Sequence, residues 1–472
     1  VAGTKTTTAK AEKWGRLASP GDEEQQRDTA LHEPGAYHGD IASAELHWFD
    51  AENDRWLRRD PESSAWSGYS ASTGEALDAP GVEPGWRPWA KAFDDSDAPF
   101  YRWFSGGLTN ACFNEVDRHV LGGRGAHPAF VFEGDRWDPS RNGGRGGPVF
   151  ELEIDYRSLL IETVLRAEVL SGLGLKQGDR VAFNLPNIPE QLYYTEAAKR
   201  LGIIYTPVFG GFSAKTLSDR IADAGARVVV TADGGYRNAE VVPYKESFTD
   251  QALDNFVPLG DALAALETVL GECDLGDRCV PLYEKVATAL TGEITLERGD
   301  VMRELGRALA AEDGIDPEKS AHIRTGVARA LADVGHIVDT VVVVRYTGQE
   351  IGVQSRDRWS DALVEAAAAR VFERAQQAGV SVSGMDDLRE LDGLTLWRAL
   401  SASHPAVPVD ADWPLFIIYT SGSTGKPKGV VHTHGGWLAG ISHTMRMVFD
   451  AGEEDRIYVI ADPGWITGQS YL

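Results

Sequence analysis

Three cysteines among 472 residues are too few and too scattered for a disulfide framework or a zinc site, so Cys112, Cys273 and Cys279 read as free thiols of a reducing compartment. Positive charge is scarce as well. Lys and Arg number 46 against 71 Asp and Glu, a formal net charge of -25. That balance lacks the basic footprint that a nucleic-acid partner requires. No stretch is long and apolar enough to span a bilayer, and the N-terminus shows no basic, apolar, small-residue export pattern. These absences predict a cytoplasmic protein with no nucleic-acid and no membrane partner. They leave room for an anionic nucleotide, because a local loop can be positive inside an acidic whole.

What is present suits a globular chain: 43% hydrophobic residues and a length sufficient for two or more domains. Residues 1–95 are polar and rich in Trp, Gly, Ser and Pro. They predict an N-terminal extension of short helices and loops, with Trp48, Trp56, Trp66, Trp86 and Trp89 as packing anchors. Residues 96–249 carry stronger patterns. Leu160, Val164, Leu165, Val169, Leu170 and Leu173 recur at helical spacing, and Gly172 and Gly174 end that helix. Val181–Phe183, Ile203–Val208 and Val228–Thr231 read as buried strands, with a helix opened by Pro189 between the first two. Strands alternating with helices predict an α/β fold whose parallel sheets are covered by helices. The Gly172 pair has no third glycine and closes a helix instead of opening one, which excludes a dinucleotide fingerprint. The triplet Asp117-Arg118-His119 reads as a local ion-pair cluster.

Residues 250–336 have their own apolar seam (Leu259, Leu266, Leu270, Val301, Leu305, Leu309, Ile323, Val327, Leu331) and read as a helical insertion. Residues 337–363 return to the main body through the strand Thr340–Val344. Residues 364–411 read as a second insertion, an Ala-rich helix followed by loop, and 412–472 hold the chemistry.

That chemistry centres on the run Tyr419 to Gly436. An apolar strand, Leu415–Tyr419, leads into glycines Gly422, Gly425 and Gly429, which let the backbone approach an anion. Thr420, Ser421, Ser423 and Thr424 offer hydroxyl donors, Lys426 and Lys428 offer charge, and Pro427 stiffens the exit. Gly422 and Gly425 are two residues apart and Pro427 follows Lys426, so the run is not a Walker loop. No G-x-S-x-G turn surrounds Ser421 or Ser423, so a serine nucleophile is not implied. His432 and His434 lack a third ligand at metal spacing and read as strand-end residues.

The run Thr420-Ser421-Gly422-Ser423-Thr424-Gly425-Lys426-Pro427-Lys428-Gly429 resembles the signature of the AMP-forming acyl-CoA synthetases, and Asp462-Pro463-Gly464-Trp465-Ile466-Thr467-Gly468 resembles the acetyl- and propionyl-CoA synthetase branch. The resemblance spans roughly residues 100–245, 337–360 and 413–472. It implies the large domain of an adenylate-forming enzyme, with ATP, Mg²⁺ and coenzyme A as cofactors. Thr420, Ser421, Gly422, Ser423, Gly425, Lys428 and Gly429 would then hold the ATP phosphates, and Lys426 and Thr424 are the catalytic candidates. The turn Phe209-Gly210-Gly211 and Arg237 would meet coenzyme A, although a second arginine common in the family is Glu240 here. Trp465 would stop a short acyl pocket lined by Ile466, Thr467 and Gln469, the last standing where the branch usually has His.

The resemblance also implies a ribose-binding Asp and a lysine-bearing mobile domain beyond residue 472, so the chain reads as a fragment, inactive alone. The N-terminal extension, the insertions and Gln469 resemble the ligase portion of multifunctional propionyl-CoA synthases. The implied substrate is a short-chain carboxylic acid, 3-hydroxypropionate or propionate, and the implied partners are further catalytic domains of the same parent chain, with a homo-oligomer possible. An acetyl- or propionyl-CoA synthetase fragment and a non-catalytic nucleotide- or CoA-binding module are the alternatives.

Overall fold

The computed structural model describes residues 20–77, 81–82, 85–420, 427–452 and 455–471. Two helices, α1 (Pro20–His32) and α2 (Pro34–Glu45), precede four short strands: β1 (Trp48–Asp50), β2 (Arg55–Arg59), β3 (Trp66–Ser70) and β4 (Ala76–Leu77). The strands form an antiparallel meander in sequence order. This corrects the expectation of helices and loops alone. Trp48, Trp56, Leu57 and Trp66 are buried in it, and Trp56 stacks on Phe113 with ring centroids 4.1 Å apart. The tryptophans supply enough apolar area to seat very short strands on the main body.

The main body is built from α3 (Tyr156–Gly172), β5 (Arg180–Asn184), α4 (Pro189–Leu201), β6 (Ile204–Pro207), α5 (Ala214–Ala224) and β7 (Val228–Ala232), with a small hairpin β8 (Gly235–Arg237) and β9 (Glu240–Val242). Local signals set these bounds. Asp155 caps α3 by accepting from Ser158 N, and Ser213 caps α5 by accepting from Thr216 N. Gly202 ends α4 at φ 66°, a left-handed conformation suited to glycine.

Next comes a helical unit, α6 (Leu259–Glu272), α7 (Cys279–Leu290), α8 (Arg298–Ala310) and α9 (Pro317–Asp333). It packs around its own cluster, including Leu266, Leu282, Leu305, Ile323 and Val327. Thr295 anchors it to α5: its backbone N–H donates to Asp219 Oδ1 at 2.9 Å. The chain then forms β10 (Thr340–Val344), β11 (Asp357–Trp359), α10 (Ser360–Gln377), α11 (Met385–Glu390) and α12 (Gly393–Ser401). The stretch after α10 is therefore two further helices, not loop; Asp392 caps the second through Leu394 N and Thr395 N. Helices α10 to α12 share a core with α3. Last come β12 (Pro414–Thr420), β13 (Lys428–Thr433), α13 (His434–Met447) and α14 (Ile466–Ser470).

Seven strands join in the order β11-β10-β7-β5-β6-β12-β13, all parallel except the final hairpin. Alternate residues feed opposite faces. Phe183, Tyr205, Val230, Val342 and Phe416 pack on one side with Tyr194 and Ala198 of α4. Ala182, Val229, Val341 and Val343 pack on the other with Leu217 and Ile221 of α5. Strand β5 lies between β6 and β7, so the chain reverses direction across the sheet there, and α4 and α5 fall on opposite faces. Open α/β sheets bind ligands at the carboxyl ends of strands beside such a reversal.

Asp117 does not pair within its own triplet. Its carboxylate meets Arg200 of α4 at 2.6 Å, both fully buried, and accepts from Trp397 Nε1 of α12 at 2.7 Å. His119 stacks on Tyr156 instead, at 4.3 Å. Within the triplet, Arg118 Nε donates to His119 Nε2 at 3.4 Å, and Asp117 is the member drawn away to Arg200.

Candidate functional site

The carboxyl ends of β6 and β7 lead into the glycine turn and the β8–β9 hairpin, and residues 462–469 pack on that turn. Gly210 and Gly211 are required by close approach. A Cβ at Gly210 would lie 2.0 Å from Tyr244 Oη, and one at Gly211 would lie 2.4 Å from Phe209 Cε1. The turn is thus folded against its own ring and Tyr244. Phe209 and Phe212 meet edge to face at 5.2 Å.

Trp465 completes this aromatic group. Its ring centroid lies 5.8 Å from both Phe209 and Phe212, while 46% of the residue stays exposed. Gly464 permits the approach, since a Cβ there would lie 2.2 Å from Phe209 N. Asp462 holds the turn by accepting from Gly464 N at 2.7 Å. Burial pushes its carboxyl up to about 6. Gln469 is used at both ends: Oε1 accepts from Tyr205 Oη at 2.9 Å and Nε2 donates to the Pro463 carbonyl at 2.7 Å. Ile466 and Thr467 open α14 and are exposed. Trp465 and the Phe209 turn, placed separately in the sequence reading, therefore form one packed unit.

Arg237 is exposed, with its guanidinium carbon 5.9 Å from the Phe209 ring centroid. Glu240 is its cross-strand partner in the β8–β9 register. The position expected to hold a second cation instead places a carboxylate opposite the first.

In the hairpin β12–β13, Thr420 pairs with Lys428 and Tyr419 with Gly429. Thr420, Lys428 and Gly429 are exposed at the end nearer residues 421–426. Ser421, Gly422, Ser423, Thr424, Gly425 and Lys426 lie outside the described residues. His432 packs against Phe416 at 4.6 Å and Trp437 at 4.9 Å, and buried His434 accepts from Ala111 N through Nδ1. Both rings are used in packing.

Sequence reasoning missed Arg220, Asp223, Tyr205 and Tyr244. Arg220 of α5 lies between rings, 4.2 Å from the Phe212 centroid and 5.4 Å from that of Tyr419. Burial lowers its guanidinium to about 10. Tyr419 donates to Asp223 Oδ2 at 2.7 Å. The aromatic residues at 212 and 419 were the available signal, but nothing local joins them to position 220.

The arrangement can do three things chemically. The glycine turn and Arg237 present an exposed cation beside close-packed backbone, which suits a phosphate-bearing ligand. Trp465 offers an apolar wall with one open face. At the Thr420–Lys428 end of the hairpin, the exposed Lys428 side chain offers a cation to an anion. Among the described residues no group of His, Cys, Asp and Glu could cage a metal ion. No helix among the described residues is long and apolar enough to cross a membrane.

Comparison with known proteins agrees with this layout. The pattern of the family described as AMP-binding enzyme matches residues 148–272 and 328–472, and that of the acetyl-coenzyme A synthetase N-terminus matches residues 86–114. The unmatched stretch 273–327 falls inside the α6–α9 unit. An acetyl-coenzyme A synthetase of Streptomyces avermitilis is 32% identical over 384 residues, 81% of this chain and 40% of that protein. One from Gemmatimonas aurantiaca is 31% identical over 410 residues, 86% of this chain and 43% of that protein. One from Cupriavidus pinatubonensis is 30% identical over 391 residues, 82% and 40% respectively. The chain thus spans about two-fifths of the length of these curated relatives. With its family pattern matched over more than half of its residues, the chain belongs to the AMP-binding enzymes.

Proposed function

We propose that this chain is part of an acid–CoA ligase that activates a short-chain carboxylic acid with ATP and passes the acyl group to coenzyme A. The observation that carries the reading is Trp465 seated on Phe209 and Phe212 of the glycine turn. A thiol-accepting turn, an acyl wall and a phosphate-facing hairpin then share one strand edge.

A carboxylate is a poor acyl donor because oxide is a poor leaving group. Its oxygen attacks the α-phosphorus of ATP, the bond to pyrophosphate breaks, and pyrophosphate leaves with the electron pair. The thiol of coenzyme A then attacks the acyl carbon, AMP departs, and the thiol proton passes to solvent. The protein's contribution is alignment and charge neutralisation. Thr420, Ser421, Gly422, Ser423, Gly425, Lys428 and Gly429 hold phosphate oxygens in this reading, with Lys426 and Thr424 nearest the transferred group. Magnesium, when bound, shares the phosphate charge. Phe209, Gly210, Gly211 and Arg237 receive the nucleotide end of coenzyme A. Trp465 closes the acyl pocket, Ile466 and Thr467 face it, and Gln469 holds its turn.

The acid we assign is 3-hydroxypropionate or propionate, with the chain acting as the ligase part of a larger propionyl-CoA synthase. The N-terminal extension, residues 273–327 that the family pattern leaves unmatched, and Gln469 support this choice. Acetate is the second reading, favoured by the acetyl-coenzyme A synthetases among the relatives. ATP–pyrophosphate exchange by the full-length protein separates them. Exchange stimulated most by 3-hydroxypropionate or propionate is expected. Stimulation by acetate alone would select the second reading, and no acid-dependent exchange would leave only a binding module.

A further inference from the structure

Arg220 is 4% exposed, yet its Nε and Nη1 have no hydrogen-bond partner among the described residues. A buried donor left unpaired is costly, and a buried cation more so. The carboxylates of its own helix are committed elsewhere. Asp219 is taken by Lys215 and by Thr295, and Asp223 by the Tyr419 hydroxyl. Two rings stand near the guanidinium carbon, with centroids 4.2 Å away for Phe212 and 5.4 Å for Tyr419. Helical side chains lean toward the helix N-terminus. The N-terminus of α5 lies at the carboxyl end of β6, so Arg220 leans toward the ligand-binding edge. Tyr419 stands immediately before Thr420 and the glycine-hydroxyl-lysine run.

We propose that Arg220 is an anion-binding residue of this site, taking a phosphoryl oxygen of the nucleotide's polyphosphate chain. The proposal rests on the reading of the site as ATP-using. Two aromatic faces orient the planar guanidinium and leave its in-plane N–H groups for an oxyanion, the geometry in which arginine differs from lysine. The carboxylate of the acid has the same chemistry and would sit near Trp465, beyond Phe212. The test distinguishes the two.

The experiment is calorimetric titration of magnesium pyrophosphate into the full-length protein, its Arg220→Gln variant and its Arg220→Lys variant, alongside the acid's KM in pyrophosphate exchange. Ligand-free melting reports folding. Arg220→Gln is expected to raise the pyrophosphate Kd about tenfold or more, the loss expected for a charge-assisted contact, with the acid KM unmoved. Arg220→Lys should fall between. If the glutamine variant does not fold, the lysine variant carries the test: weakened pyrophosphate binding at an unchanged melting temperature supports the proposal. Unchanged pyrophosphate binding in a folded variant overturns it, as does a raised acid KM with pyrophosphate binding intact. Wild-type protein that neither binds pyrophosphate nor exchanges it would overturn the ligase reading itself, and this proposal with it.

Discussion

Tyr205 donates its hydroxyl proton to Gln469 Oε1 at 2.9 Å, which ties a fully buried strand residue to the segment that carries Trp465. The other end of the same amide holds the Pro463 carbonyl. Gln469 therefore acts as a clasp on the Trp465 turn, with its polar groups directed into the protein. Tyr205→Phe keeps the ring and removes the donor. We predict a stability loss of about 1 kcal/mol, the ordinary worth of one such bond, and a several-fold rise in acid KM. The KM values for ATP and coenzyme A should not move. An unchanged acid KM would show that the clasp does not position the pocket.

Trp465 faces the second prediction. Its ring is held on one side by Phe209 and Phe212 and is open on the other. Trp465→Gly removes the wall while leaving the Gly464 approach intact. Acids with two or more extra methylenes should gain about tenfold or more in kcat/KM relative to the parent, since each methylene in an apolar pocket is worth that order. A variant still confined to the shortest acids would exclude Trp465 as the stop.

The buried pair Asp117–Arg200 is a structural prediction, separate from chemistry. Arg200 also donates to the His404 carbonyl, and Asp117 accepts from Trp397, so the pair joins α4, α12 and the turn at 113–117. Asp117→Ala would leave a buried guanidinium without its counter-ion. A loss of about 3–5 kcal/mol is expected in chemical denaturation, with the ligand KM values near those of the parent under folded conditions. A loss below about 1 kcal/mol would mean that water or relaxation replaces the pair.

The parallel sheet was legible because Val228–Val230 and Val341–Val344 are apolar without a break, which is the mark of strands covered on both faces. The meander β1–β4 was not, because strands of two to five residues give no usable alternation and their tryptophans read equally as anchors in loops. At the candidate site, Phe209, Trp465 and Arg237 were named from motif resemblance. Their mutual contact was not, since a linear motif carries no information on which face of a turn meets another. Arg220 was invisible for a similar reason: that its Nε and Nη1 lack a partner among the described residues is seen only once α5 is packed. Gln469 was read as lining the pocket, whereas its amide is bonded inward to Tyr205 and Pro463.

Arg237 and Glu240 lie opposite each other across the β8–β9 ladder. Both are exposed, so their attraction is modest, yet it places a carboxylate where a CoA phosphate would approach. Glu240→Arg should lower the KM for coenzyme A about two- to five-fold, the range of a cross-strand charge pair. Arg237→Ala should raise it about tenfold, as expected for a lost charge-assisted contact. Pyrophosphate exchange should be unaffected in both variants, because it does not require the thiol. Coenzyme A kinetics insensitive to both changes would remove this hairpin from the thiol site.

Asp462 makes the site's pH response predictable. Burial raises its folded-state carboxyl to about 6, above its ordinary value of 3.8. A group raised on folding contributes stability below its unfolded value and loses it as pH climbs through the folded value. The window is therefore about pH 4 to 6, and above it the turn carries a buried carboxylate. Asn in its place keeps an oxygen for Gly464 N and has no charge to bury. Asp462→Asn should thus gain stability relative to the parent as pH rises from 4 to 7, by at most about 3 kcal/mol for a two-unit shift. Denaturation midpoints of the two proteins across that range give the difference directly, and the other titrating groups cancel in it. Parallel curves would mean that the carboxyl titrates normally and that the Trp465 turn is open to water at Asp462.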